Sequence, residues 1–140
     1  MTIRNLARTD AITASTDQSA GNLATLMKEE RVGSVVIEED DRPVGIVTDR
    51  DLTLEVLEPR ANPKEVTAGD IMTADPATAH VDDGVFDVIR DMVGASARRM
   101  PVVDDGGQIV GIITLDDFLV LLADELQGLT DVVEAESPPY

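Results

Sequence analysis

Gly45-Ile46-Val47-Thr48-Asp49-Arg50-Asp51 returns 66 residues later as Gly111-Ile112-Ile113-Thr114-Leu115-Asp116-Asp117. Each copy holds a glycine, two aliphatic residues, a threonine and, three positions on, an aspartate. Working outward, Asp10, Thr13, Ala14, Asp17 and Met27 meet Asp75, Thr78, Ala79, Asp82 and Met92 at an offset of 65, so one turn of the second copy carries an extra residue. Internal repetition outranks any other organisational signal. Each unit has about 60 residues, a size at which a lone core is marginal, so the two units are expected to pack on one another.

The elements repeat too. Ala20, Leu23, Ala24 and Met27 follow helical spacing after a candidate N-cap at Asp17, as Val85, Val88, Ile89, Met92 and Val93 do after Asp82. Val35 to Ile37 and Val44 to Val47 read as strands around the acidic turn Glu38 to Arg42. Met100 to Val103 and Ile109 to Ile113 do so around Asp104 to Gln108, where Asp105-Gly106 suits a tight hairpin. Short extended pieces at Ala11 to Ala14 and Pro76 to Ala79 precede the first helices, and second helices start at Thr48 and Thr114. The fold class is therefore α/β, two β-α-β-β-α repeats packed as a pseudo-twofold pair. The expected division is repeat one over 1–58, a proline-bearing linker over 59–67, repeat two over 68–129 and a frayed acidic tail over 130–140.

Two explanations of the recurring motif stay open. A strand ending in threonine with an acid three residues later is a capping box, hydroxyl and carboxylate each satisfying a free amide of the first helical turn. The same corner also presents a hydroxyl, free amides and the positive end of a helix dipole, which suits a phosphate and sugar. A carboxylate there repels phosphate but accepts hydrogen bonds from ribose. Gly45 and Gly111, lacking side chains, let an adenine or the facing repeat come close.

The doubled motif, with Met100-Pro101-Val102-Val103 on the preceding strand of the second unit, resembles a tandem pair of CBS domains (a Bateman module) from about Leu6 to Leu126. The resemblance implies a non-catalytic regulatory module that binds AMP, ADP, ATP or S-adenosylmethionine in clefts between repeats and modulates a partner. It places ribose contacts on Asp51 and Asp117, and phosphate or ribose contacts on Thr48 and Thr114. Adenine contacts fall near Thr13 and Ala14, near Ala77, Thr78 and Ala79, and on the hairpin strands at Val36, Ile37, Pro101 and Val102. Arg50, Arg98 and Arg99 are the candidate phosphate cations, unless they only neutralise nearby carboxylates. Asp116 stands where the first repeat has Arg50, and Gly33-Ser34 where the second has Arg98-Arg99, so two equivalent phosphate sites are not expected.

Composition narrows the function classes. The 140 residues carry 28 acidic and 11 basic side chains, a formal charge of −17, yet 43% are hydrophobic. That apolar share is ordinary for a folded domain. A charge of this sign disfavours nucleic acid, whose affinity for proteins rests on Lys and Arg neutralising phosphates. It points instead to a salt-rich host, where self-repulsion is screened. No cysteine is present, which excludes thiol and zinc–cysteine chemistry and fits a reducing cytoplasm. The longest apolar run, Phe118 to Ala123, is far short of the roughly 20 residues that cross a bilayer, so a membrane is not an expected partner.

No catalytic serine frame and no calcium-loop spacing occurs, neither a catalytic nor a metal site is expected, and the lone His80 reads as a surface or turn residue rather than a ligand. The last helix, Leu115 to Leu129, carries Phe118, Leu119, Leu121, Leu122, Leu126 and Leu129, more apolar surface than one packed face needs. The excess is either deeper core or the contact of a homodimer. An interaction or dimerisation scaffold without a ligand is the alternative function.

Overall fold

The computed structural model describes residues 1–137. The first unit contains β1 (Thr13–Ser15), α1 (Ala20–Glu30), β2 (Ser34–Glu39), β3 (Arg42–Thr48) and α2 (Asp49–Leu52), which continues into a π-helical turn over Thr53–Leu57. A short α3 (Ala68–Ile71) and β4 (Thr73–Ala74) follow the linker. The second unit contains β5 (Ala79–His80), α4 (Val85–Ala95), β6 (Arg99–Val103), β7 (Ile109–Thr114) and α5 (Leu115–Glu136). In each unit a parallel pair precedes an antiparallel hairpin: β1 beside β2 and β2 against β3, then β5 beside β6 and β6 against β7. The ladders shift register at Ile37/Glu38 and at Val102/Val103, equivalent places in the repeat.

Each unit closes on its own core. Leu23, Met27, Val35, Ile37, Val47 and Ala68 form the first; Val85, Val88, Met92, Met100, Val102, Ile113 and Phe118, with Ala79, form most of the second. The chain ends cross between units. Ile3, fully buried, belongs to the second core, and Arg8 pairs with Ile112 through two backbone hydrogen bonds of 2.9 Å. Conversely β4 adds to the first sheet, Gly45 facing Ala74 and Ile46 facing Thr73. The opening segment therefore packs on the second unit rather than on the one it precedes.

The two glycines are explained by this crossing. A Cβ on Gly111 would stand 2.3 Å from the Arg8 carbonyl oxygen, and one on Gly45 2.3 Å from the Met72 sulfur. What comes close is the exchanged segment.

Local chemistry moves several boundaries. Ser19, whose hydroxyl accepts from the Asn22 amide, caps α1, and Gly84 stands at the N-cap of α4. The expected caps are engaged elsewhere: Asp17 accepts from the Ser15 hydroxyl, and Asp82 from Arg4 at 2.5 Å. The first hairpin turns at Asp40 and Asp41, both left-handed (φ 50° and 62°), as a two-residue type I′ turn requires. In the second hairpin the left-handed residue is Gly107 (φ 78°) rather than Gly106, and Asp104 closes the turn by accepting from the amides of Gly106 and Gln108.

The expected frayed tail is corrected as far as it is described, because α5 runs unbroken to Glu136. Gly128 does not stop it: Leu, Ala, Glu and Gln around it are strong helix formers. Gln127 also donates to Asp131 and Thr130 to the Leu126 carbonyl, one turn apart. The remaining residues, 138–140, lie outside the described part.

Candidate functional site

Both recurring corners are complete capping boxes. The Thr48 amide donates to Asp51 Oδ2 at 2.8 Å and the Asp51 amide to the Thr48 hydroxyl at 3.2 Å. Thr114 and Asp117 repeat this at 2.9 and 3.3 Å, and the Thr114 hydroxyl donates to the same carboxylate at 3.0 Å. The other oxygen of Asp117 accepts from Arg8 Nε at 3.2 Å. A backbone bond across each unit fixes each corner: Asp49 N to Gly33 O at 3.0 Å, and Leu115 N to Arg98 O at 2.7 Å.

A cavity opens beside each corner, at the boundary between the units. One, of about 350 Å³, is lined by Arg8, Asp10, Ile12, Glu30, Arg31, Val32, Gly33, Ser34, Arg98, Arg99, Ile112, Thr114, Leu115 and Asp116. The other, of about 820 Å³, is lined by Ile46, Thr48, Asp49, Arg50, Thr73, Asp75, Pro76, Ala77, Ala95, Ser96, Ala97, Arg98 and Arg99. The two walls correspond through the repeat: Arg8 with Thr73, Asp10 with Asp75, Ile12 with Ala77, Arg31 with Ser96, Thr114 with Thr48. Arg31 and Ser96 end α1 and α4 in the left-handed conformation (φ 56° and 51°), each at its cavity wall.

Of the residues read from the sequence, Thr48, Arg50, Ala77, Arg98, Arg99 and Thr114 line these cavities. Arg98 and Arg99 line both, and Arg99 donates to the Gly33 carbonyl of the other unit at 3.1 Å. Asp51 and Asp117 sit behind their threonines and line neither. Thr13, Ala14 and Thr78 also lie off both cavities, although Ile12, one position earlier, lines the smaller. Val36, Ile37, Ala79, Pro101 and Val102 are fully buried, so their side chains present no surface to a ligand there.

Sequence reasoning missed Arg8, Asp10, Arg31, Asp49, Asp75 and Asp116 as cavity residues. The alignment of Asp10 with Asp75 was the available signal for that pair. Arg8 has none, since its place depends on the crossing of the chain end.

His80 lies half-buried at the end of β5. Its Nδ1 accepts from the Asp82 amide at 3.1 Å, which puts the ring proton on Nε2, 2.6 Å from Asp105 Oδ1. Among the described residues no group of three or more His, Asp or Glu side chains is placed to hold a metal ion, and no helix is long and apolar enough to cross a membrane.

Charge distinguishes the groove from the rest of the surface. Five of the eleven basic side chains, Arg8, Arg31, Arg50, Arg98 and Arg99, line the two cavities of a chain whose net charge is −17. The smaller has four arginines against Asp10, Glu30 and Asp116; the larger has three against Asp49 and Asp75. Guanidinium groups bind carboxylate and phosphate through paired, charge-assisted hydrogen bonds. Both volumes lie in the range of about 300–1,000 Å³ usual for small-molecule sites.

Two packed β-α-β-β-α units with a repeat-related cavity at each side of their boundary define a tandem α/β module built around an inter-unit groove. The chain belongs to the CBS domain family, which matches residues 3–58 and 68–124. It is 42% identical over 120 residues to the uncharacterized protein MK0525 of Methanopyrus kandleri, covering 85% of this chain and 61% of that relative. Its fold is similar to the CBS domain pair of protein MJ0100 in complex with 5′-methylthioadenosine and S-adenosyl-L-methionine, with TM-score 0.80, 27% identity, and coverage of 89% of this chain and 98% of that one. The CBS domain protein PAE2072 of Pyrobaculum aerophilum, complexed with AMP, shares the fold at TM-score 0.75 and 24% identity, over 84% of this chain and 89% of that one.

Proposed function

We propose that this chain is a non-catalytic regulatory module that binds an adenosine compound in the groove between its repeats and thereby alters its contacts with a partner protein. One observation carries the reading: a strongly acidic molecule gathers five arginines around two cavities at its internal boundary. Within the set AMP, ADP, ATP and S-adenosylmethionine, this favours the phosphorylated members, because the single carboxylate of S-adenosylmethionine is offset by its own ammonium and sulfonium charges whereas the nucleotides are net anions. The ligands named for the similar CBS structures support the adenosine part. Thr48 and Thr114 offer hydroxyls at the cavity walls, while Asp51 and Asp117 act as caps behind them.

Titration calorimetry with the four compounds in high salt tests the reading. Wild-type protein gives saturable heat with at least one nucleotide. A hydrogen bond to a charged group is worth about 1.5–3 kcal/mol, so Arg98→Ala or Arg99→Ala alone weakens ATP about 10- to 100-fold and the two together by about 100-fold or more. No saturable heat with any of the four would overturn it.

A second reading, a ligand-independent interaction scaffold, is favoured by the completeness of both capping boxes, which account for the Thr and Asp of the motif through helix stability alone. It expects the arginine variants to leave partner capture unchanged and no nucleotide to alter it.

A further inference from the structure

Arg8 is fixed at its backbone and loose at its tip. Its amide and carbonyl both bond Ile112 at 2.9 Å, which holds the main chain on β7, while its side chain is 62% exposed at the wall of the smaller cavity. The guanidinium donates through Nε alone to Asp117 Oδ1, at 3.2 Å. A strong charge-assisted pair measures roughly 2.7–2.9 Å, and a phosphate takes a guanidinium through two nitrogens rather than one. Nor does Asp117 need Arg8 to cap α5, since both bonds its carboxylate accepts from Thr114 end on Oδ2. The other corner is built differently. Thr73 stands where Arg8 does, pairing with Ile46 as Arg8 pairs with Ile112, and among the described residues Asp51 keeps only its capping bonds to Thr48.

Charge gives this pairing a consequence. Four arginines and three acids line the smaller cavity. With Arg8 offset by Asp117, which lies behind the wall and whose side chain is 10% exposed, three arginines remain against three acids and the cavity is balanced. A ligand finds a surplus cation only by drawing Arg8 off Asp117, and only an anion supplies the second acceptor. We propose that Arg8 is a specificity latch whose guanidinium exchanges the Asp117 carboxylate for the phosphate chain of a ligand, so that the smaller cavity takes anionic adenosine compounds and passes over neutral ones. The larger cavity, with Thr73 in that place, exerts no such selection. The inference rests on the reading of the groove as a nucleotide site and adds to it a residue outside the repeated motif.

Titration calorimetry in high salt tests the latch, together with the side-chain Nε–H signal of Arg8 in nuclear magnetic resonance, assigned by its loss in Arg8→Gln. In wild-type protein ATP and tripolyphosphate move that signal, and adenosine leaves it in place. Arg8→Gln weakens ATP about 10-fold, the lower end for loss of a bond to a charged group because the side chain is largely exposed. Asp117→Asn keeps an oxygen for the Thr114 amide but sets an amide nitrogen against the guanidinium. It strengthens ATP about 2- to 5-fold, as release from a solvent-accessible ion pair allows, and in an Arg8→Gln background the same substitution gains nothing. A carboxylate that held ribose directly would show the opposite sign. ATP heat with an unmoved Arg8 signal, a shift by adenosine equal to that by ATP, weaker ATP binding in Asp117→Asn, or a gain that persists without Arg8 would each overturn the latch and leave the nucleotide reading standing. No saturable heat with ATP or tripolyphosphate in wild-type protein would overturn both.

Discussion

Substituting Gly111 by alanine isolates the reason the motif begins with glycine. The new Cβ meets the Arg8 carbonyl oxygen at 2.3 Å and its carbon at 3.2 Å, both backbone atoms that no side-chain rotation can move aside. The opening segment must retreat from β7, breaking the two 2.9 Å bonds between Arg8 and Ile112, at about 1 kcal/mol each. It also loosens Ile3, fully buried in the second core, where complete loss of such a side chain costs about 2–5 kcal/mol. Partial release of Ile3 puts the total near 3 kcal/mol, and for a chain of this size that is a fall in Tm of about 10 °C.

Gly45→Ala meets only the Met72 side chain (Sδ at 2.3 Å, Cγ at 2.8 Å and Cβ at 3.0 Å), so repacking brings its cost to about 1–2 kcal/mol. Gly94→Ala, in α4 with nothing within 4 Å, gains about 0.5–1 kcal/mol of helix propensity. Urea unfolding of the three variants reads the order, and limited proteolysis at the N-terminus reads the mechanism. If Gly111→Ala loses less than about 0.5 kcal/mol and keeps its N-terminus protected, the crossing segment is not what the glycine serves.

Other outcomes follow from the same contacts. Asp117→Ala removes one half of the capping box and the partner of Arg8, and destabilises by about 1–2 kcal/mol in urea titrations. The Asp70 carboxyl is held below its ordinary value by the backbone amide of Thr67 and then by the Thr67 hydroxyl, closing the capping box of α3. A depressed folded pKa gives stability that is present above the ordinary carboxylate value and is lost as pH falls through the lowered one. Asp70→Asn therefore removes this group's small part of the acid limb of the stability–pH curve and leaves the neutral part with a constant offset. With a charge of −17 and only 11 basic groups, the thermal midpoint rises with added KCl from millimolar to molar concentration. An unchanged midpoint would remove the argument for a salt-rich setting.

The repeated unit was legible because its cause is local. Short apolar runs at Val35 to Ile37 and Val44 to Val47, helical spacing in Val85 to Met92, and turn chemistry at Thr48 and Thr114 each act within a few residues. They recur at one offset, so each copy checks the other. Arg8 and Met72 were illegible for the opposite reason. Their partners, Gly111 and Gly45, lie far along the chain, and no short-range pattern states which unit a chain end will join. The site followed suit: Thr48, Thr114, Arg98 and Arg99 lie on or beside repeated elements and reach the cavities. Asp51 and Asp117 bear the motif's most suggestive chemistry yet spend it on their own helix amides. The acidic composition of the tail misled because the helix before it tolerates one glycine, Gly128, at a cost of about 1 kcal/mol when its neighbours are strong helix formers, and so carries on to Glu136.

The crossing of the chain ends also bears on how binding would be felt. A ligand shifts an equilibrium only by the difference in its affinity for two states. In the smaller cavity Arg8 comes from the exchanged N-terminal segment, Arg31 from the end of α1, and Arg98 and Arg99 from the approach to β6 and its first residue. An anion that drew these together would touch both units and the crossing N-terminal segment. Any change in their relative placement then changes the number of cations in reach. In the larger cavity the exchanged segment contributes Thr73 and Asp75 instead, a neutral and an acidic group. Anion binding there would depend on Arg50 and the shared arginines, and would have less purchase on the crossing strand. On this geometry the smaller cavity is the one whose occupancy is tied most closely to the packing of the two repeats.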